Sequence, residues 1–145
     1  GNPKAFPFTK PKVDGLNFSF SGLKTQILYF VQKNVALNPN FIEENKADIC
    51  ASIQYTIINI LMDKLKLAVA ETGINQIAIG GGVSANSGIR TTLKEAEQKY
   101  GWKTYIPKFE YTTDNAAMIG IVGYYNFLEE NFSENDVVTK ARIEF

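Results

Sequence analysis

The chain of 145 residues contains no histidine. Histidine is the commonest general base near neutral pH and the commonest side-chain metal ligand, so neither a histidine-based metal centre nor a histidine-activated nucleophile can be assembled from this chain alone. It has one cysteine, Cys50, which excludes an intramolecular disulfide and a thiolate metal cluster and fits a reducing, cytoplasmic compartment. Cys50 falls in an apolar helical pattern and is expected to be buried there as a small hydrophobe. No apolar run is long enough to span a bilayer and no signal peptide is visible, so no membrane partner is expected. An excess of either charge is missing too. Fifteen basic residues balance fifteen acidic ones, which leaves no global field to draw in nucleic acid or an anionic surface; any such binding would be local. The chain begins at Gly1 rather than at a methionine. Together with the missing histidines, this points to a piece of something larger.

What is present supports one core: 45% of the residues are apolar, enough for a single domain of ordinary size. The opening "GNPKAFPFTKPKVDG" carries Pro3, Pro7 and Pro11 and reads as an extended lead-in over residues 1–17. Phe18 and Phe20 alternate with Asn17 and Ser19 like a short strand, after which Leu23, Ile27, Phe30 and Val31 take up helical spacing, with Ser19 or Ser21 as the expected N-cap. A long helix follows, ended by Gly73. Ile42, Ile49, Ile53, Ile57, Ile60 and Leu67 mark one stripe of it and Ile58, Leu61, Leu65 and Val69 a second, so it should be buried on much of its circumference. "INQIAIGGG" reads as an interior strand, and "WKTYIP" as a second strand stopped by Pro107. Between them lies a helix with Ile89, Leu93, Ala96 and Tyr100 on one face, capped by Ser84 or Asn86 and closed by Gly101. A last helix starts near "TTDNAAMIG", with Ala117, Ile121, Tyr124 and Leu128 on one side. The final "VVTKARIEF" is apolar-polar and suits a sheet edge. The order is two helices, then strand, helix, strand, helix: a mixed α/β unit, rich in helix with a small sheet, spanning 18–145.

Three stretches carry chemical interest. In "IAIGGGVSANSGIR" a strand ends in Gly80, Gly81 and Gly82 and runs into a helix. This suits phosphate, because glycines admit a ligand to the backbone and a helix N-terminus offers unpaired N–H groups. The spacing is neither the dinucleotide fingerprint nor the P-loop, so a packing turn is the equal alternative. Asn86 can bond a ligand or simply cap the helix. In "TTDNAAMIG", Asp114 can cap the helix or offer one carboxylate to a metal. Ala116, Ala117, Gly120 and Gly123 give that helix a thin face, against which a neighbouring helix is expected. In "FSFSGLKT", Ser19 and Ser21 read as turn formers, since no histidine can activate them, and Lys24 as a solvated lysine.

"FSFSGLKT", "GGVSANSGIR" and "YTTDNAAMIG", in this order, resemble the TsaD (Gcp/YgjD) family of tRNA N6-adenosine threonylcarbamoyltransferases, and "FPFTKP" resembles the family's lead-in. The resemblance implies the C-terminal lobe of an actin/Hsp70/sugar-kinase-like (RNase H-like) fold that closes over a nucleotide. It implies transfer of threonylcarbamoyl from threonylcarbamoyl-AMP to N6 of adenosine 37 in tRNAs reading ANN codons, with one divalent metal, iron or zinc, and TsaB-like and TsaE-like partners in bacteria. On this chain it places Asn86 against the adenylate, Gly80, Gly81 and Gly82 along the nucleotide cleft, and Asp114 at the metal. The family's HxxxH motif, which belongs to the N-terminal lobe, is absent. The piece alone is therefore expected to be inactive, to hold metal weakly, and to associate with itself through surfaces the other lobe would cover. The alternative readings are a carbamoyltransferase of the hydrogenase-maturation type, a kinase lobe of the same superfamily and a non-catalytic scaffold paralogue. Nothing in the sequence supports proteolysis.

Overall fold

A computed structural model describes residues 1–134 together with 136 and 138. Helix α1 (Leu23–Leu37) is followed by the long α2 (Phe41–Thr72), strand β1 (Gln76–Ala78), α3 (Ser87–Tyr100), strand β2 (Lys103–Tyr105) and α4 (Ala116–Leu128). Short 3-10 turns at Gly82–Ala85 and Phe109–Tyr111 precede α3 and α4. The two strands pair in parallel, Ile77 opposite Thr104, with α3 as the crossover between them. The unit is α/β and helix-rich, in the order the hydrophobic periods predict. Among the described residues β1 has a single partner strand and is an edge strand, not an interior one.

The core lies between α2, α3 and one face of the sheet. Met62, Ile77, Ile89, Leu93, Ala96 and Trp102 are buried together, with Ile58, Leu61, Leu65 and Val69 of α2 packed against them. The second α2 stripe is thus the core stripe. The first holds its middle, where Ile49 and Ile60 are buried, while Ile42 and Leu67 at its ends are exposed. Each strand shows one buried residue between two exposed ones, so Ile77 and Thr104 face the helices while Gln76, Ala78, Lys103 and Tyr105 are exposed. Tyr100, expected on the buried face of α3, is also exposed.

The lead-in is fastened along its length. Ser52 of α2, fully buried, accepts from the Phe6 amide at 3.2 Å and donates to the Asn2 carbonyl at 3.3 Å. Further along, the Lys64 ammonium donates to the carbonyl of Val13 at 2.6 Å and also to that of Gly15. Phe6 and Phe8 stack against Phe30, and Phe6 and Phe30 against Phe41, which locks α1 to α2.

Four local expectations are corrected. Phe18 and Phe20 are not in a strand; Phe18, Ser19 and Phe20 have no regular structure and lead into a turn. Neither Ser19 nor Ser21 caps α1. Its N-cap is Gly22 at φ 79°, a left-handed conformation that favours glycine, while Ser19 Oγ accepts from the Ser21 amide. Cys50 is exposed, because it lies on the side of α2 away from Ile49 and Ser52. The thin face of α4 meets no helix among the described residues: space is open beside both Gly120 and Gly123. The closing "VVTKARIEF", apart from Val138, lies outside the described residues.

Candidate functional site

The strand-to-helix passage after β1 is built from small, specific bonds. Ile79 continues the ladder, its amide donating to the Tyr105 carbonyl at 3.1 Å. Gly81 then takes φ 73° and ψ 179°, a conformation open in practice to glycine alone, and turns the chain out of the sheet. Both the amide and the hydroxyl of Ser84 donate to the Gly81 carbonyl, at 3.0 and 2.7 Å, closing the 3-10 turn. Ser84 is buried, whereas Gly80, Gly81 and Gly82 are exposed with nothing within 4 Å of where a Cβ would stand. Of the three glycines, only Gly81 is required by the backbone. The space beside the other two is free for something to approach.

Asn86 caps α3: its Oδ1 accepts from the Ile89 amide at 3.1 Å. That satisfies one of the unpaired donors of the first turn and leaves Nδ2, whose one partner is Gln54 Oε1 at a long 3.4 Å, able to donate elsewhere. Capping and ligand contact are therefore compatible in this residue. Gly88, two residues on, is held close to α2, where a Cβ would come within 2.7 Å of Ile58 Cδ1 and 3.0 Å of Gln54 Nε2.

Asp114 stands on a different segment and is exposed. It does not cap α4. The adjacent Asn115 does, accepting from the Met118 amide at 3.2 Å and donating to the Thr113 carbonyl at 2.8 Å. The preceding turn is closed by buried Thr112, whose amide and hydroxyl donate to the Phe109 carbonyl at 3.1 and 2.7 Å. No set of three histidine, cysteine, aspartate or glutamate side chains able to hold a metal occurs among the described residues. Asp114 alone does not fit a divalent cation, which needs converging ligands.

The structure brings the glycines and Asn86 together in one turn and leaves Asp114 on another. What ties the two segments is Arg90, a residue inside the glycine-to-helix stretch to which sequence reasoning gave no role. Its Nη1 donates to the Ser84 carbonyl at 2.9 Å and its Nη2 to the Pro107 carbonyl at 2.7 Å. The available signal was an arginine in the first turn of a helix, where the dipole disfavours a cation unless carbonyls receive it. Behind the loop lies a cavity of about 350 Å³, lined by Phe18, Leu61, Leu65, Ile79, Gly80 and Leu93 among others. Its wall is almost entirely apolar and Asn86 is not part of it, so it suits hydrophobic packing and not a phosphate.

A second cluster sits at the C-terminal end of α3. Thr104 donates to the Glu97 carboxylate through its hydroxyl and, at 3.1 Å, through its amide, and Lys94 approaches at 2.9 Å. These bonds hold the Glu97 carboxyl down at about 2, the Thr104 hydroxyl contributing most. The Lys103 ammonium, over the Tyr105 ring at 5.3 Å, is shifted up by its interaction with Tyr105.

A sequence model of the TsaD family, described as tRNA N6-adenosine threonylcarbamoyltransferase, matches residues 1–121. The chain belongs to the TsaD family. A protein of that name from Christiangramia forsetii is 67% identical over 145 residues, all of this chain and 43% of the relative. Another from Cytophaga hutchinsonii is 52% identical over 143 residues, and one from Desulfotalea psychrophila 38% over 148. This TsaD-family chain thus spans well under half the length of these relatives, 42% to 43%. Among the described residues no helix is long and apolar enough to cross a membrane.

Proposed function

We propose that this chain forms one wall of the active site of a tRNA N6-adenosine threonylcarbamoyltransferase. The observation that carries the reading is the glycine turn that ends in Asn86 in a chain of this family: an open backbone floor beside an asparagine whose Nδ2, bonded only at a long 3.4 Å to Gln54, can still donate. In this reading Gly80, Gly81 and Gly82 line the adenylate of threonylcarbamoyl-AMP and Asn86 contacts it. The exocyclic amine of adenosine 37 attacks the carbamoyl carbon, the new N–C bond forms, the bond to the phosphate oxygen breaks, AMP leaves and the amine loses a proton. What this wall supplies is position: a preorganised turn that holds the leaving adenylate in line costs no reorganisation at the moment of transfer.

Asp114 would offer one ligand to an iron or zinc ion whose other ligands come from outside the chain. Residues 18–145 would then be the C-terminal lobe of an actin/Hsp70/sugar-kinase-like fold and residues 1–17 its lead-in. The enzyme would be cytoplasmic, with tRNA as substrate and TsaB-like and TsaE-like proteins as partners.

The test is a chimaera in which this chain replaces the matching segment of the Christiangramia forsetii relative. Expected is threonylcarbamoylation of tRNA by the chimaera, and a loss of about a hundredfold or more in both Asn86→Ala and Asp114→Ala. A folded but inactive chimaera, or two fully active variants, would overturn the reading.

A further inference from the structure

Arg90 is the group that joins the two segments on which the candidate site residues stand. It sits in the first turn of α3, where a positive charge opposes the helix dipole, and is received there by two carbonyl oxygens from different parts of the chain. One belongs to Ser84, whose own hydroxyl and amide close the glycine turn, two residues before Asn86. The other belongs to Pro107, which stands immediately before the tight turn that Lys108 begins and Thr112 closes, followed directly by Thr113 and Asp114. We infer that Arg90 is a positioning residue that fixes the Asn86 turn and the Asp114 turn relative to one another, so that both are presented as a single rigid wall. The catalytic meaning of that wall rests on the function proposed above; the mechanical tie does not.

The choice of side chain fits the task. A guanidinium is planar and carries donors on separate nitrogens, so it bridges two fixed carbonyls in one orientation. A lysine ammonium, a point charge on a flexible stem, reaches either carbonyl without fixing the angle between them. Beyond buried Thr112 and the packing of Ile106 on the core, the Asp114 turn has few anchors: it follows a β2 of three residues and leads into an α4 with no buried side chain among the described residues.

The test is backbone amide NMR with hydrogen exchange on the chain itself, with no nucleotide and no metal, so its outcome is separate from whether the transfer reaction is correctly assigned. In Arg90→Met the amides of Ser84, Asn86, Tyr111 and Thr112 are expected to exchange faster on the order of tenfold, the effect of losing a charge-assisted bond, while those of Ile79 and Lys103 in the sheet do not change. Arg90→Lys is expected to fall between wild type and Arg90→Met. Loosening of only one turn, or of neither, would overturn the inference. Thr112→Ala in the otherwise unaltered chain gives a check that holds even if Arg90→Met fails to fold. It is expected to shift the amide signals of Ser84 and Asn86 across the tie, and signals there that stay in place would also overturn it.

Discussion

Helices α3 and α4 begin alike and end up in opposite circumstances. Each follows a 3-10 turn, each is capped by an asparagine whose Oδ1 accepts from the amide three residues on, and each follows a segment that carries a candidate site residue. Yet α3 buries Ile89, Leu93 and Ala96 against α2 and the sheet, while α4 buries nothing among the described residues. Ile119 of α4 is 76% exposed and Leu93 of α3 is not exposed at all. A cap is a local device that works wherever the next few residues are helical; burial needs a partner. A helix as apolar all round as α4 is made to lie in the interior of something, and the curated relatives are more than twice as long as this chain.

The comparison breaks most visibly on truncation of core side chains. Leu93→Ala is expected to cost about 2–5 kcal/mol, since the cavity left between α2, α3 and the sheet cannot collapse fully. Ile119→Ala in α4 should stay within ~0.5 kcal/mol; denaturant melts followed by Trp102 fluorescence measure both. Next in size is Gly81→Ala, expected to cost about 1–2 kcal/mol because an alanine is strained at positive φ, where Gly80→Ala is nearly neutral. In the chimaera both glycine substitutions should lower transfer activity, which separates backbone need from ligand need. The caps come third. Asn86→Ala should lower global stability by about 1 kcal/mol, while Asn115→Ala frays α4 and leaves the global melt unchanged, as circular dichroism and urea titration would show together.

The smallest effect is on pH dependence. Glu97 is held at about 2 against an ordinary 4.5, so its stabilising contribution is complete above 4.5 and is lost as the pH falls toward 2. The group is partly exposed, and the effect is correspondingly modest. Glu97→Gln should flatten that part of the stability–pH curve and leave the curve above pH 5 parallel to wild type.

Much of this was legible in the residues. The periodicity of α2 and α3, the glycines Gly73 and Gly101 that end them, and the strands before Gly80 and Pro107 are local signals, and local bonds realise them. Element order followed directly. The rest was not legible, for physical reasons. The exposure of Cys50 and the open face of α4 depend on what lies across from a helix, which periodicity does not report. By residue type Asp114 and Asn115 are equally good caps for α4, and only the start of the helix at Ala116 decides for Asn115. Arg90 was passed over because its partners are backbone carbonyls, which no side-chain motif reveals. The glycine turn and Asn86 were found as a unit, but sequence could not tell that the cap and a free amide donor coexist in one side chain.

In the proposed function this chain holds one part of a site whose other ligands lie elsewhere. Calorimetric titration of the chain with zinc tests it most directly. No binding tighter than millimolar is expected, because Asp114 belongs to no set of three potential metal ligands among the described residues. Micromolar binding by the chain alone, lost in Asp114→Ala, would contradict it.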